Sequence, residues 1–354
     1  MIHRECGVYQ TSYRADMAVY KLPLARWGLA GFGVVLFLVL PLAAGEYILS
    51  ILNLVGIASV GAIGLNLLVG GAGQISLGQG GFMAVGAYTA AIFALRLGLP
   101  FWLSIPAAGF MTALVGSVFG IPSLRVKGLY LAIATLAAQF IIEWNLLHSA
   151  WITGTGAQGA LVLEPPALGW LALDTEVKKY YFVMAFAILA TVAARNISRT
   201  YLGRAFVAIR DHDVAAEIMG VNIFRYKLLA FAISSFYAGV TGALWAYYTQ
   251  VVSYEHFTLG TSIDYLAMII IGGLGSVPGS ILGAAFITML PAGLRELMET
   301  VKRLGLPGTL GNFTYTREIL FGLIVIGFLI FEPEGLARIW RRAKDYFRLW
   351  PFAY

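Results

Sequence analysis

The residues best suited to chemistry in this sequence are four polar side chains beside a glycine-rich break in the hydrophobic pattern. They lie within "GLNLLVGGAGQISLGQGGFMAVGAYTAA", residues 64 to 91, and are Asn66, Gln74, Ser76 and Gln79. Polar groups surrounded by hydrocarbon must form hydrogen bonds. These side chains therefore either cap backbone atoms that the break leaves unpaired or line a translocation path that holds water. Both interpretations are open from the sequence.

A second glycine-rich break lies in "IGGLGSVPGS", residues 271 to 280. A helix cannot run smoothly through so many glycines and a proline. The stretch predicts a tight turn between two spans or a broken, re-entrant element. Irregular backbone at membrane depth survives only where protein or a water-filled cavity covers it. We therefore add Gly272, Gly273 and Gly275 to the candidate translocation path.

Residue types that catalyse reactions or hold metals are not arranged for either task. The four histidines, His3, His148, His212 and His256, are isolated, and neither an H-E-x-x-H motif nor a G-x-x-x-x-G-K-[ST] phosphate loop is present. The sequence thus predicts no catalytic residue, no metal site and no cofactor bound by this chain. A transport route is the more economical function, with its energy supplied by an ion gradient or by another subunit.

The composition identifies the elements that position these residues as membrane helices. Hydrophobic residues make up 59% of the 354 residues, charged residues 12%, and the mean hydropathy is +0.80. Ordinary globular domains have about 25% charged residues. The net charge of +6 is gathered in a few loops beside hydrophobic runs, which is typical of membrane proteins and argues against nucleic acid as a partner. The single Cys6 permits no intrachain disulfide. We predict an all-α, polytopic bundle embedded in membrane lipid.

Uncharged runs of about 20 residues can each cross a bilayer. They predict ten spans, at about 24–44, 48–69, 75–95, 101–121, 128–148, 180–195, 228–250, 263–280, 281–298 and 314–331. Placing the N-terminus inside puts most Lys and Arg residues in cytoplasmic segments, as the positive-inside bias requires. Both termini are therefore predicted to be cytoplasmic, in a cell inner membrane. The predicted parts are a cytoplasmic tail (1–23), a transmembrane domain (24–332) with an outer loop (149–179), and a basic cytoplasmic tail (333–354).

Small residues recur at helical spacing in two of these spans, which indicates close helix packing. One stripe is Gly80, Ala84, Ala87 and Ala91; the other is Ser235, Gly239, Gly242 and Ala246.

The segment 199–222, between spans six and seven, is charged and also carries apolar residues at helical spacing. It predicts two short helices, Leu202 to about Asp211 and Asp213 to Met219. Asp213 is suited to cap the second helix, and Gly220 to end it in the left-handed conformation. Small alanines would let a partner approach, and charged residues would fix the register. We therefore expect this segment to dock into a cytoplasmic protein rather than to serve as a solvated linker.

The sequence resembles the LivM-type permease subunits of branched-chain amino-acid ABC importers. The matching pieces are the 64–91 stretch above, "LRVKGLYLAIATLAAQFI", "GRAFVAIRDHDVAAEIMGVNIFRYKLLAFAISSFYAGVTGALWA", "IIGGLGSVPGSILGAAFI" and "FEPEGL". Within them, "AAEIMG" corresponds to the family's cytoplasmic coupling motif. Together with the docking argument, the resemblance implies these ATPase-coupling residues: Arg204, Asp211, Ala215, Ala216, Glu217 and Gly220.

The resemblance also implies partners: a second, LivH-type permease, two cytoplasmic ATPases that bind ATP and Mg, and an external solute-binding protein. The implied function is import of branched-chain or related hydrophobic amino acids. Permeases for urea or short amides look similar, and a self-sufficient secondary transporter or channel is the alternative from another class. The chain departs from the family's T-G-G-x-x-G pattern with "TGTGAQGA", residues 153 to 160, so its substrate stays open.

Overall fold

The computed structural model describes residues 12, 27–28, 31, 33–123, 128–149, 160–168, 171–172, 175–303, 319, 322–328, 330, 332 and 334–349. Within these residues the α-helices are α1 (Leu40–Ala43), α2 (Glu46–Asn66), α3 (Gln79–Leu97), α4 (Phe101–Ser123), α5 (Leu129–His148), α6 (Glu176–Arg199), α7 (Tyr201–Asp211), α8 (Asp213–Ile218), α9 (Ile223–Thr249), α10 (Leu259–Gly272), α11 (Val277–Arg303) and α12 (Leu336–Leu349). Residues 322–328 are also helical. The prediction of a helical membrane protein is confirmed.

Short non-α elements join these helices. Val35–Val39 and Leu67–Gly71 are π-helical, and Tyr254–His256 forms a 3-10 turn. Strand β1 (Leu161–Val162) pairs antiparallel with β4 (Val251–Val252), with Leu161 opposite Val252. Strands β2 (Ala167–Leu168) and β3 (Leu171–Ala172) form a second antiparallel pair. Helix α6 begins at Glu176, so the loop predicted to run to residue 179 ends earlier.

Seven helices in the described part of the chain are long and apolar enough to cross a membrane. They correspond to seven of the ten predicted spans and run over Glu46–Gly71, Gln79–Leu97, Phe101–Pro122, Tyr130–His148, Glu176–Arg199, Ile223–Thr249 and Val277–Glu296. Large apolar side chains lie on their outer surface: Phe110, Leu114 and Val118, for example, are all at least 60% exposed along one face of α4. Such a surface suits contact with lipid tails.

The predicted span 263–280 is wrong in its bounds. Helix α10 has 14 residues and ends at Gly272, a length of about 21 Å at 1.5 Å per residue. The hydrocarbon core of a bilayer is about 30 Å thick, so α10 by itself falls short. The predicted spans 24–44 and 314–331 lie partly outside the described residues. Nearly all of the predicted tail 1–23 lies outside them as well.

Helix α9 is the centre of the bundle, and α2, α3 and α4 pack around it. Glycines permit the closest approaches: a Cβ on Gly86 would overlap the backbone of Gly239, and one on Gly242 would overlap the carbonyl of Met83. Ala84, Ala87 and Ala91 of the first predicted stripe are all buried. The stripes therefore do pack helices together, as predicted.

Candidate functional site

The break between α2 and α3 enters the bundle as non-helical chain. Helix α3 begins at Gln79, whose Nε2 donates to the Gly61 carbonyl at 3.3 Å. Gly61 lies about 15 Å before the end of the π-helical segment at Gly71, at 1.5 Å per residue. Residues 73–78 therefore return into the bundle before α3 starts. Exposure alternates at the start of this stretch: Gly73 and Ile75 are exposed, whereas Gln74 and Ser76 are buried.

Side chains from neighbouring helices satisfy the first N–H groups of α3, which have no partner within the helix. The Gly80 N–H donates to Ser262 Oγ of α10 at 2.8 Å. The Gly81 N–H donates to Gln139 Oε1 of α5. In the break itself, Ser76 Oγ accepts from the Gly78 N–H at 3.3 Å. Ser76 therefore bonds backbone within the break, as the capping interpretation requires, whereas Gln79 bonds a carbonyl inside α2.

Gln74 differs from the other polar residues of the break. Its side chain is only 3% exposed, yet neither atom of its carboxamide has a hydrogen-bond partner in the structure. A buried amide without partners costs about 1–3 kcal/mol. Gln74 is thus the residue of this group that is left with unused hydrogen-bonding capacity.

Asn66 ties the end of α2 to the turn between α10 and α11. Its Nδ2 donates to Ser280 Oγ at 2.6 Å and to the Ser276 carbonyl at 3.0 Å. Its Oδ1 accepts from the Gly275 N–H at 2.8 Å. The side chain is 4% exposed, so these bonds form in a water-poor site. Both ends of one amide are used to hold an irregular turn against the bundle.

Arg210 of α7 reaches the same place from outside the bundle. Its Nη1 donates to the Gly70 carbonyl at 2.8 Å, and its Nε and Nη2 each lie 2.9 Å from Asp211 Oδ1. A Cβ on Gly275 would lie 3.4 Å from Nη1. Asp211 therefore holds the guanidinium in place while the guanidinium binds the π-helical backbone. We call the cluster of Asn66, Gly70, Arg210 and Gly275 the Asn66 junction.

The glycines predicted to line the translocation path form close backbone contacts and a turn. Gly273 and Gly275 have φ angles of +109° and +77°, which L-residues with a Cβ rarely adopt. A Cβ on Gly272 would overlap the carbonyl of Gly279, so glycine lets α10 and α11 pack directly on each other. The second break is therefore a tight turn, which is one of the two predicted forms.

The charged segment forms two short helices close to the predicted bounds, α7 and α8. Gly220 follows α8 with φ +87°, the predicted left-handed conformation. Asp213 is the first residue of α8, and His212 occupies the N-cap position instead. Arg204, Asp211, Ala215 and Glu217 are exposed, whereas Ala216 is 5% exposed and packs inward. Ala216 therefore cannot itself offer a surface to a partner in this state.

A family model for the branched-chain amino acid transport system permease component matches residues 47–329, which include all of the spanning helices described above except the first residue, Glu46. The chain belongs to this family. The high-affinity branched-chain amino acid transport system permease protein LivM of Escherichia coli K12 is 34% identical over 297 residues, covering 77% of this chain and 66% of the relative. The chain thus spans just under two thirds of that relative's length.

Other members are more distant. The autoinducer 2 import system permease protein LsrC of Enterobacter sp. strain 638 is 26% identical over 308 residues, 81% of each chain. The probable branched-chain amino acid transport permease protein LivM of Methanocaldococcus jannaschii is 26% identical over 238 residues, 66% of this chain and 67% of the relative. No solved structure matches the chain significantly.

The sequence did not predict that apolar side chains of the charged segment are exposed. Val214, Ile218 and Met219 are 58%, 81% and 84% exposed. Their apolar character was visible, but only the packing of α8 on the rest of the permease shows that they point outward. They give α8 an apolar tip beside the charge of Glu217.

A polar cluster at the opposite end of the permease was also missed. Glu176 Oε2 accepts from Asn53 Nδ2 at 3.0 Å and from the Tyr248 hydroxyl at 3.2 Å. Lys179 forms an ion pair with Glu176 Oε1 at 3.2 Å. Asn53 and Glu176 are 123 positions apart in sequence, so no local pattern could have joined them. The cluster links α2, α6 and α9.

Replacing Gly220 with proline is expected to abolish transport by this permease. Proline fixes φ near −65°, whereas Gly220 has φ +87° and donates its N–H to the Glu217 carbonyl at 2.9 Å. Gly220→Asn is the matched control, because asparagine tolerates the left-handed region and a Cβ here would have no neighbour within 4 Å. Uptake into membrane vesicles is the measurement. Equal uptake by the two variants would show that the conformation after α8 is unimportant.

Proposed function

We propose that this chain is the membrane permease subunit of an ATP-binding-cassette importer for branched-chain or related hydrophobic amino acids. Separate ATPase subunits, which bind ATP and Mg, supply the energy. The observation that carries the proposal is the two-helix segment α7–α8, which exposes an apolar tip and joins the bundle through Arg210. The relatives named LivM support the substrate class. The relative named LsrC has a different substrate in its name, so family membership alone does not fix the cargo.

In this proposal, movement passes from an ATPase to the spans through α8, α7 and Arg210. An ATPase that grips Val214, Ile218 and Met219 would move α8 and, with it, α7. Arg210 would pass that movement to the Gly70 carbonyl at the end of α2 and to the turn that Asn66 holds. The inward-open and outward-open states would then differ in how these elements are seated. This is a two-state element whose balance nucleotide binding shifts.

The translocation path, in this proposal, follows the exposed side of the break at residues 73–78. Non-helical backbone at membrane depth needs cover from protein or from water, and Gly73 and Ile75 are exposed in the isolated chain. A second, LivH-type permease would supply the cover and complete the path. Gln74 is buried on the opposite side of this stretch, and in the proposal it turns into the path in the second transport state, where its unpaired carboxamide binds water or cargo.

The remaining parts of the assembly follow from the same proposal. An external solute-binding protein would deliver cargo at the end of the bundle opposite to α7 and α8. Both termini would be cytoplasmic, and the predicted spans 24–44 and 314–331 would complete the membrane domain. A urea or short-amide permease would have the same architecture, so cargo competition during uptake distinguishes these substrates. A secondary transporter or channel would instead work in liposomes without any ATPase.

A cysteine at Met219 is expected to crosslink to an ATP-hydrolysing subunit in native membranes. The background is Cys6→Ser, which removes the sole native cysteine. Met219 is 84% exposed at the tip of α8, so a short bifunctional reagent can reach a docked partner from it. Ala216→Cys is the matched control in the same helix, because this position is 5% exposed. Capture of no ATPase from Met219→Cys in actively transporting membranes would contradict the proposed function.

A further inference from the structure

The C-terminal helix α12 has separate apolar and basic faces. At 100° per residue, Leu336, Ile339, Trp340 and Ala343 fall on one arc about 100° wide, and Tyr346 and Phe347 extend or share it. The rest of the helix carries five basic residues against one acidic residue: Arg338, Arg341, Arg342, Lys344 and Arg348 against Asp345. A helix with Trp on its apolar face and Lys or Arg on its polar face is suited to lie in a membrane interface.

Three of the described residues on the apolar arc are exposed. Ile339 is 41% and Trp340 64% exposed, and Ala343 is exposed as well. Among the described side chains of α12, that of Ala337 in the first turn is covered, at 5% exposed. Trp340 is therefore available for contact with a surface outside the described part of the chain.

The start of α12 sits on the turn that belongs to the Asn66 junction. A Cβ on Gly335 would lie 2.7 Å from both the Ile271 carbonyl and the Gly273 N–H nitrogen, and one on Gly273 would lie 3.1 Å from the Ala337 Cβ. Gly275, two residues further on, binds Asn66 and approaches Arg210. Helix α12 therefore lies at the same end of the bundle as α7 and α8, and it covers the turn from outside.

The chain has little freedom to carry α12 away from the membrane. The apolar helical residues 322–328 lie eight residues before Leu336, a reach of at most about 28 Å at 3.5 Å per residue. Two ion pairs hold this connection to the helix, Arg338 with Glu334 at 2.6 Å and Arg342 with Glu332 at 3.1 Å. The connection and its ion pairs therefore limit how far α12 can lie from the apolar residues 322–328.

We propose that α12 docks flat on the anionic phospholipid surface of the membrane, with Ile339 and Trp340 inserted and its basic residues on the headgroups. Docked in this way, α12 would hold the turn between α10 and α11 in place. Charge complementarity favours this occupant, because inner leaflets rich in anionic lipid attract basic segments beside a span. A consequence for transport rests on the proposed function: the Asn66 junction would be seated correctly only when anionic lipid holds α12. Import would then depend on the lipid composition around the permease.

The test of docking uses the full chain in lipid nanodiscs and does not depend on transport. In the Cys6→Ser background, Ala343→Cys carries an environment-sensitive fluorophore beside Trp340. We expect blue-shifted emission and quenching by spin-labelled lipid in discs that contain phosphatidylglycerol, and a large loss of both in phosphatidylcholine alone or at high salt. The double variant R341E/K344E is expected to lower the docked-to-free ratio by roughly 25-fold or more, since each basic residue contributes about fivefold.

Matched controls separate docking from a folding defect. R295E reverses a single charge, half the change of the double variant, on an exposed residue of α11 about 27 Å along the helix from Val277, and it should leave the lipid response unchanged. R341Q/K344Q should weaken docking less than the charge reversal.

Two outcomes would overturn the proposal. One is fluorophore emission that is the same with and without phosphatidylglycerol; the other is shielding of the fluorophore only after soluble ATPase subunits are added. Docking with equal ATP-driven uptake in both lipids overturns the link to transport, whereas absence of uptake in any lipid speaks against the proposed function instead.

Discussion

Asn66→Leu is expected to abolish uptake and to lower the thermal stability of the purified chain. Leucine is close to asparagine in size but cannot bond the Gly275 N–H or the groups of Ser276 and Ser280 that Asn66 binds. Each buried polar group left unpaired costs about 1–3 kcal/mol. The turn between α10 and α11 would detach from α2. Gly275, which lies beside the Arg210 guanidinium, would move with the turn. Uptake into vesicles that carry the partner subunits should fall by at least roughly tenfold.

Ser59→Ala is the matched control on the same helix. Ser59 is 4% exposed, but its Oγ bonds only the Val55 carbonyl of its own helix, at 2.7 Å. Its loss leaves no distant group unpaired, so uptake and stability should change little. If Asn66→Leu behaves like Ser59→Ala in both measurements, the Asn66 junction does not hold the turn that we assign to it.

If the chain works as proposed, Arg210→Met is expected to uncouple ATP hydrolysis from transport while the chain still folds. Methionine keeps an apolar stem over Gly73 but loses the guanidinium that binds Gly70 and Asp211. Hydrogen bonds from charged donors contribute about 1.5–3 kcal/mol. Because Arg210 is partly exposed, its replacement should weaken the contact between α7 and Gly70 without unfolding the helix bundle. Uptake should drop by at least roughly tenfold with ATP hydrolysis retained. Both rates are measured on the reconstituted complex.

Two further variants test the role of Arg210. Arg210→Lys should be intermediate, because one ammonium cannot reproduce the planar fork that binds Asp211 and Gly70 together. Arg225→Met removes an exposed arginine at the start of α9 and should leave the ratio of uptake to hydrolysis unchanged. A ratio in Arg210→Met equal to that of the unmodified chain would show that force does not pass through this contact.

Much of the fold was predictable because membrane spans follow from local composition. The helices α7 and α8 were also predictable to within one residue or two, since helical spacing and the stop at Gly220 are local signals. The span 263–280 was wrong because hydropathy continues through the turn at Gly273, where φ +109° ends the helix. Apolar composition does not record where a backbone reverses direction.

The candidate site could be predicted only as a set of residue types. The sequence marked Asn66 and Gly275 as unusual, but their hydrogen bond joins positions 209 apart, and no short-range pattern encodes such a pair. It likewise marked Ala216 as a contact residue, whereas packing against its neighbours turns that side chain inward and leaves Met219 outside. A small side chain fits a protein interior as readily as it fits a partner's groove.

The sequence by itself determined that this protein is a bundle of membrane helices, because a bilayer admits few other ways to satisfy a backbone within apolar runs. It also determined the positions of the two glycine-rich breaks, since glycine and proline act on their own residues. The tertiary structure decided which groups meet at those breaks: Asn66 with the 273–276 turn, Arg210 with Gly70, and α12 with Gly273. Those contacts depend on how distant helices pack, and packing is a property of the whole chain.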